Sequence, residues 1–115
     1  HSPDPFFMVG GAVNAAFLNF TKALSKRGSV DGVNVNSINP GMTSTDRLIT
    51  IIQNNAEREG LSYTDAEKNA LKNIGLDRFS TPEEVAELTY FLCNPKVRHL
   101  TGTEINLDGG KKPTI

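Results

Sequence analysis

The residues best suited by type and spacing to do chemistry form one run, Asn39-Pro40-Gly41-Met42-Thr43-Ser44-Thr45-Asp46. Val33, Val35 and Ile38 lead into it as a β-prone strand over residues 33–39. Pro40 cannot donate to a sheet ladder and Gly41 permits a turn, so the strand is expected to end at Asn39. Thr45 is placed to cap a helix that begins at Asp46. Hydroxyl side chains and backbone N–H groups at a strand end, beside a helix N-terminus, suit a polar or anionic ligand. The same residues also make an ordinary strand-to-helix connection, because Pro, Gly and Thr are common there without any ligand.

Other reactive side chains are sparse. Of 115 residues one is cysteine, two are histidine and two are tyrosine. The single Cys93 excludes an intrachain disulfide and fits a reducing, cytoplasmic compartment. It lies in an apolar helical run, which predicts a buried structural thiol rather than a nucleophile with a nearby base. His1 and His99 stand in no motif, and no His, Cys, Asp and Glu cluster has metal-ligand spacing, so no metal site is expected. Twelve basic against thirteen acidic residues leave a net charge of −1. That balance gives no electrostatic case for nucleic acid or an anionic membrane, and no apolar stretch reaches transmembrane length.

The elements that must position these groups follow from periodicity. His1 to Phe7 reads as an extended lead-in because Pro3 and Pro5 oppose helix. From Met8 to Lys26, Val13, Phe17, Phe20 and Leu24 recur at helical spacing on one face, and Gly28 supplies a stop. A second helix is predicted from Asp46 to Glu59, striped by Leu48, Ile49, Ile52 and Ala56 and closed by Gly60. Thr64 and Glu67 have capping-box spacing for a third helix ending near Asn73, with Gly75 beyond. Thr81-Pro82-Glu83-Glu84 is a complete helix start for a fourth that runs through Cys93 until Asn94-Pro95 ends it. Thr103 to Leu107 is a last strand with Ile105 and Leu107 on one face. Two strands separated by a helical crossover fit a parallel pair, and a parallel pair alone does not make an independent sheet.

Three stretches together resemble the short-chain dehydrogenases/reductases. Asn39-Pro40-Gly41-x-x-x-Thr45 is similar to that family's Pro-Gly-x-x-x-Thr turn. Arg78-Phe79-x-x-Pro82-Glu83-Glu84-Val85-Ala86 is similar to its penultimate helix. Leu100-Thr101-Gly102-Thr103-Glu104-Ile105-Asn106-Leu107-Asp108-Gly109-Gly110 is similar to its last strand. The resemblance covers nearly the whole chain in the family's order, but only the C-terminal half of a family member. Members carry an N-terminal Gly-rich dinucleotide turn, and Gly10-Gly11 is not one. The expected fold class is therefore α/β, the C-terminal half of a Rossmann-like doubly wound parallel sheet, with two parallel strands plus helices. Residues 1–115 form a single partial domain, and the helical stretch at about 42–79 corresponds to the family's substrate-binding lid or, on the residues alone, to ordinary surface helices.

The resemblance implies hydride transfer between NAD or NADP and an alcohol or carbonyl substrate. It assigns Pro40, Gly41, Thr43 and Thr45 to the cofactor, with Thr43 backbone and Thr45 hydroxyl at the nicotinamide carboxamide. It also places Gly10 where the family has its catalytic Tyr, and Asn14 where it has the Lys that lowers the Tyr pKa and holds the ribose. Gly10 has no side chain and Asn14 does not titrate. Asn14 can still hydrogen-bond a ribose hydroxyl, or simply solvate its helix. Tyr63 is the only phenol in the lid and the substitute donor the residues offer there, or, on the plainer reading, an ordinary surface tyrosine. The alternative reading is a non-catalytic member or fragment that binds or scaffolds. The resemblance further implies an N-terminal half of the same fold as partner, a homo-oligomer built on the long helix and on the last helix and strand, and little dinucleotide affinity in this chain alone.

Overall fold

The structure, a computed structural model, describes residues 7–72 and 76–111. The lead-in up to Phe6, the end of the third helix at Asn73 with Gly75, and the tail beyond Lys111 lie outside the described residues. Helix α1 spans Met8–Val30, β1 Ser37–Pro40, α2 Asp46–Glu59, α3 Tyr63–Lys72, α4 Pro82–Leu92 and β2 Glu104–Leu107, with one 3-10 turn at Pro95–Val97. The class is α/β: β1 and β2 pair in parallel with Ile38 opposite Ile105 and Pro40 opposite Leu107.

Gly28 does not stop α1. The helix continues to Val30, and Gly32, at φ 71°, takes the left-handed position that follows it. Gly28 serves a close approach instead. The Val33 N–H donates to its carbonyl at 2.8 Å, and a Cβ there would lie 2.7 Å from the Val33 oxygen. The buried residues of α1 are Thr21, Ser25 and Gly28, a stripe of small residues at helical spacing. Thr21 and Ser25 return their hydroxyl protons to Phe17 and Lys22 carbonyls, so burial leaves neither donor unpaired. Val13, Phe17, Phe20 and Leu24 do share a face, as expected, but that face is exposed; Phe17 is 61% and Phe20 58% accessible.

Strand β1 begins at Ser37 rather than Val33. Before it, the backbone is held by side chains: Val35 N–H donates to the Thr101 hydroxyl at 3.0 Å, and Asn36 bridges Leu100 O and Thr103 N–H. One backbone bond, Gly102 N–H to Val35 O at 2.7 Å, already joins the segments there, and the continuous ladder starts at Ser37. At the other end Pro40 joins the strand as its last residue, and the next donor, Gly41 N–H, reaches Leu107 O at 2.9 Å.

The apolar core sits in α2 and α3. Leu48, Ile52, Ala56, Ala66 and Phe79 form it, with Met42, Ala70 and Leu71 packed against them. Gly60, at φ 66°, closes α2. The cap of α3 is Ser62, not Thr64: its hydroxyl accepts from Asp65 N–H and donates to the Asp65 carboxylate. Ser62 wins because it lies one residue outside the helix, whereas Thr64 is already inside the first turn. Helix α4 starts as expected, with the Thr81–Glu84 capping box and Pro82 in the first turn. It ends at Leu92, and Cys93 at its C-cap is exposed, which corrects the expected burial.

Candidate functional site

Strand β1 delivers the turn at residues 40–45 to the C-terminal edge of the parallel pair, the edge where open α/β sheets hold ligands. Gly41 is required there by space. A Cβ on it would lie 2.9 Å from the Asp108 Cα, so the two strand ends close on each other only with glycine. The chain beyond is held to residue 80. Ser80 N–H donates to Met42 O at 3.1 Å, Ser44 N–H donates to Ser80 O at 2.8 Å, and Thr43 and Ser80 form a parallel bridge.

Thr45 has the extended backbone of an N-cap, φ −143° and ψ 165°, but its hydroxyl makes no capping bond. It donates instead to Thr43 O at 3.3 Å, which corrects the expected cap. Asp46 occupies the first turn of α2 and already complements the positive end of the helix. A neutral polar group therefore suits this turn better than an anion.

A cleft of about 250 Å³ adjoins the turn, lined by Gly41, Met42, Leu76, Asp77, Arg78, Ser80, Glu84, Leu107, Asp108 and Gly109. It touches Gly41 and Met42 but not Thr43 or Thr45. Arg78 grips Glu84 through two N–H···O bonds of 2.9 and 2.7 Å. Those bonds, with the Thr81 N–H bond to the same carboxylate, hold the Glu84 pKa down at about 2, and the pairing raises that of Arg78. Sequence reasoning named Arg78 and Glu84 only as parts of a motif and missed Ser80. No local signal marked Ser80, because its partner Thr43 is 37 residues away in the chain.

The remaining expected positions lie on α1 and α3. Gly10 is in the first turn of α1 with the Phe7 ring packed where its Cβ would project. Asn14 stands on an exposed part of α1, and no hydrogen bond joins it to residues 40–45. Tyr63 begins α3, past the far end of α2. Since α2 rises about 21 Å over its length, Tyr63 is remote from the turn, and it does not line the cleft. This removes it as the substitute proton donor. Among the described residues no group of His, Cys, Asp and Glu could hold a metal, and no helix is long and apolar enough to cross a membrane.

The parallel pair with the glycine-closed turn at its C-terminal edge makes the fold α/β, and the comparisons give the family. A family model described as enoyl-(acyl carrier protein) reductase matches residues 5–112. The chain belongs to the short-chain dehydrogenase/reductase family. It is 30% identical over 113 residues to the NADPH-dependent reductase BacG of Bacillus subtilis, covering 98% of this chain and 44% of that protein. It is 37% identical over 100 residues to the 3-oxoacyl-[acyl-carrier-protein] reductase FabG of Chlamydia muridarum, covering 86% of this chain and 36% of that one. The fold superposes on the crystal structure of YwfH, an NADPH-dependent reductase, with TM-score 0.90 at 29% identity, over 99% of this chain and 43% of the other. A short-chain dehydrogenase family protein from Francisella tularensis gives 0.87 at 32%, over 99% and 46%. The architecture is thus the C-terminal half of a Rossmann-like fold, and the chain spans less than half the length of the curated relatives it matches.

Proposed function

We propose that this chain supplies the C-terminal part of a nicotinamide-dependent oxidoreductase that moves hydride between NAD or NADP and an alcohol or carbonyl carbon. The observation that carries the reading is the turn at residues 40–45, closed by Gly41 against Asp108 and presenting Thr43 and Thr45 at the C-terminal strand edge. Its polarity suits the neutral carboxamide of a nicotinamide. Pro40 and Gly41 shape the turn, Thr43 and Thr45 bind, and Asn14 reaches a ribose hydroxyl only if the bound dinucleotide bridges to α1. The pair α2 and α3, with its own core, serves as the substrate lid over residues 42–79. Dinucleotide phosphates fall to a Gly-rich turn supplied by the other half of the fold. The relatives named NADPH-dependent reductases favour NADPH as the cofactor.

The proton that carbonyl reduction needs does not come from the long helix, because Gly10 has no side chain and the Phe7 ring fills its place. The donor is a side chain beyond this chain or a bound water. The exposed face of α1 favours a further partner surface, as a homo-oligomer or as the N-terminal half of the same fold. The chain exposes 8436 Å², where a compact monomer of its 12.5 kDa exposes about 6,200 Å². An exposed free Cys93 fits a reducing, cytoplasmic setting.

The test is dinucleotide binding and nicotinamide absorbance with a panel of ketones and alcohols, on the protein at its full gene length. Expected are binding by the intact protein, little or none by the 115-residue chain, and weak turnover untouched by Tyr63→Phe. Gly10→Tyr with Asn14→Lys should raise turnover, provided the Phe7 ring swings aside. An intact protein that binds neither NADH nor NADPH overturns the reading in favour of a non-catalytic scaffold.

A further inference from the structure

We infer that the end of the molecule opposite the ligand turn is a docking surface for an acidic protein, one that presents carboxylates around apolar side chains. Residues 22–36 and 95–103 hold five of the chain's 12 basic residues, Lys22, Lys26, Arg27, Lys96 and Arg98, and one of its 13 acidic residues, Asp31. The rest of the chain is left with seven basic against twelve acidic residues, so the net charge of −1 hides two regions of opposite sign. Tertiary contacts bring the two basic segments together. The Asn36 amide donates to Leu100 O at 2.7 Å, and Lys22 Nζ donates to Gly102 O at 2.8 Å. A Cβ on Gly32 would lie 2.9 Å from the Arg98 guanidinium. These contacts all precede Ser37 and Glu104, where the strands begin. Each strand has four residues, which sets the basic end roughly 13 Å from the turn at residues 40–45.

The fold accounts for only part of this charge. Arg27 complements the negative end of α1 and pairs with Asp31 at 3.3 Å. Lys96 and Arg98 lie in no α-helix, and with Lys26 their side chains hold no partner among the described residues. Gathered like charges repel one another, and an anionic partner relieves that repulsion. The surface that covers the apolar face of α1 leaves these cations free. Lys22 and Lys26 each follow Phe20 and Leu24 by two residues, about 200° around the helix, and so stand on its other side. Apolar side chains select a protein over a nucleic acid. Val30 is 78% and Val33 53% exposed within the first basic segment. A phosphate backbone leaves such side chains in water, whereas a protein interface buries them and favours arginine beside them.

Fluorescence anisotropy tests this on the protein at its full gene length. The probe is a synthetic amphipathic helix with glutamates on one face and leucines on the other. The same helix with lysines for glutamates, and a DNA duplex, serve for comparison. The glutamate helix should bind, and more weakly as salt rises, while the lysine helix should not. Lys26→Glu, Lys96→Glu and Arg98→Glu together should weaken binding by about tenfold or more. Lys68→Glu with Lys72→Glu, the basic pair on α3, should leave it unchanged. Val30→Ser with Val33→Ser should also weaken it. Should the triple variant fail to fold, Lys26→Gln with Lys96→Gln, both exposed, should still weaken binding about threefold. Absence of binding by the glutamate helix, or equal losses in the two charge-reversed variants, overturns the inference. Tighter binding of the duplex overturns it in favour of nucleic acid.

Discussion

Helices α2 and α3 bury Leu48, Ile52, Ala56 and Ala66 against each other and against Phe79, whereas α1 buries Thr21, Ser25 and Gly28 and turns Phe17 and Phe20 outward. Both regions carry large apolar residues at helical spacing, but α2 and α3 set them against a charged face, whereas α1 is mostly small and apolar around the rest of its surface. The difference lies in who covers the large side chains. The helical pair is joined by the short link at Gly60–Ser62, so each helix is the other's nearest surface. Helix α1 meets the strand loops through small residues, which permit close approach at Gly28 and Gly102. Its large residues are left for a surface that this chain does not provide. A region can thus be locally complete while its neighbour in the same fold is built to be covered.

Core truncation should have the largest effect. Ile52 is 2% exposed, and Ile52→Ala in the intact protein should cost about 2–5 kcal/mol, read by chemical denaturation. If α1 were uncovered in solution, Phe17→Ala would cost under about 0.5 kcal/mol. A loss comparable to that of Ile52→Ala would show its face covered.

Charge on that face tests what covers it. Phe17→Asp with Phe20→Asp should convert an oligomer to smaller species by light scattering, while Ile49→Asp, exposed on α2, leaves the mass unchanged. An intact protein that is monomeric before substitution would remove the oligomer and leave the other half of the fold as the covering surface.

The segment at residues 78–84, which leads from the helical pair into α4, should respond to acid. Glu84 has its folded pKa held at about 2, below the ordinary carboxylate value of 4.5. Its contribution is therefore present above pH 4.5 and is lost as pH falls from there toward 2. Glu84→Gln should flatten the stability profile across that window, and an unchanged slope would show that the Arg78 fork contributes nothing. Thr81→Ala, which removes the other half of the capping box, should cost about 1 kcal/mol at neutral pH.

The smallest effects come as a pair of opposite sign within α1. Gly11→Ala meets no atom within 4 Å and should stabilise by about 0.5–1 kcal/mol through helix propensity. Gly28→Ala gains the same propensity but sets a Cβ 2.7 Å from Val33 O, so thermal unfolding should show net destabilisation. Two equal gains would mean that α1 does not approach the strand as described.

The sequence by itself determined the elements whose signals are local. Thr81, Pro82 and Glu84 start α4 through bonds spanning three residues, and Gly60 ends α2 through its own φ. The turn at residues 40–45 was equally legible, because Pro40 restricts the backbone and Gly41 frees it wherever they stand. The rest depends on residues far apart in the chain. The use of Gly28 for packing rather than stopping depends on Val33, and the late start of β1 depends on Thr101 and Leu100. The outward turn of Phe17 depends on which face of α1 could approach the strands most closely. Ser80 was silent in the sequence because its meaning comes from Thr43, 37 residues away, and one hydroxyl carries no record of its distant partner.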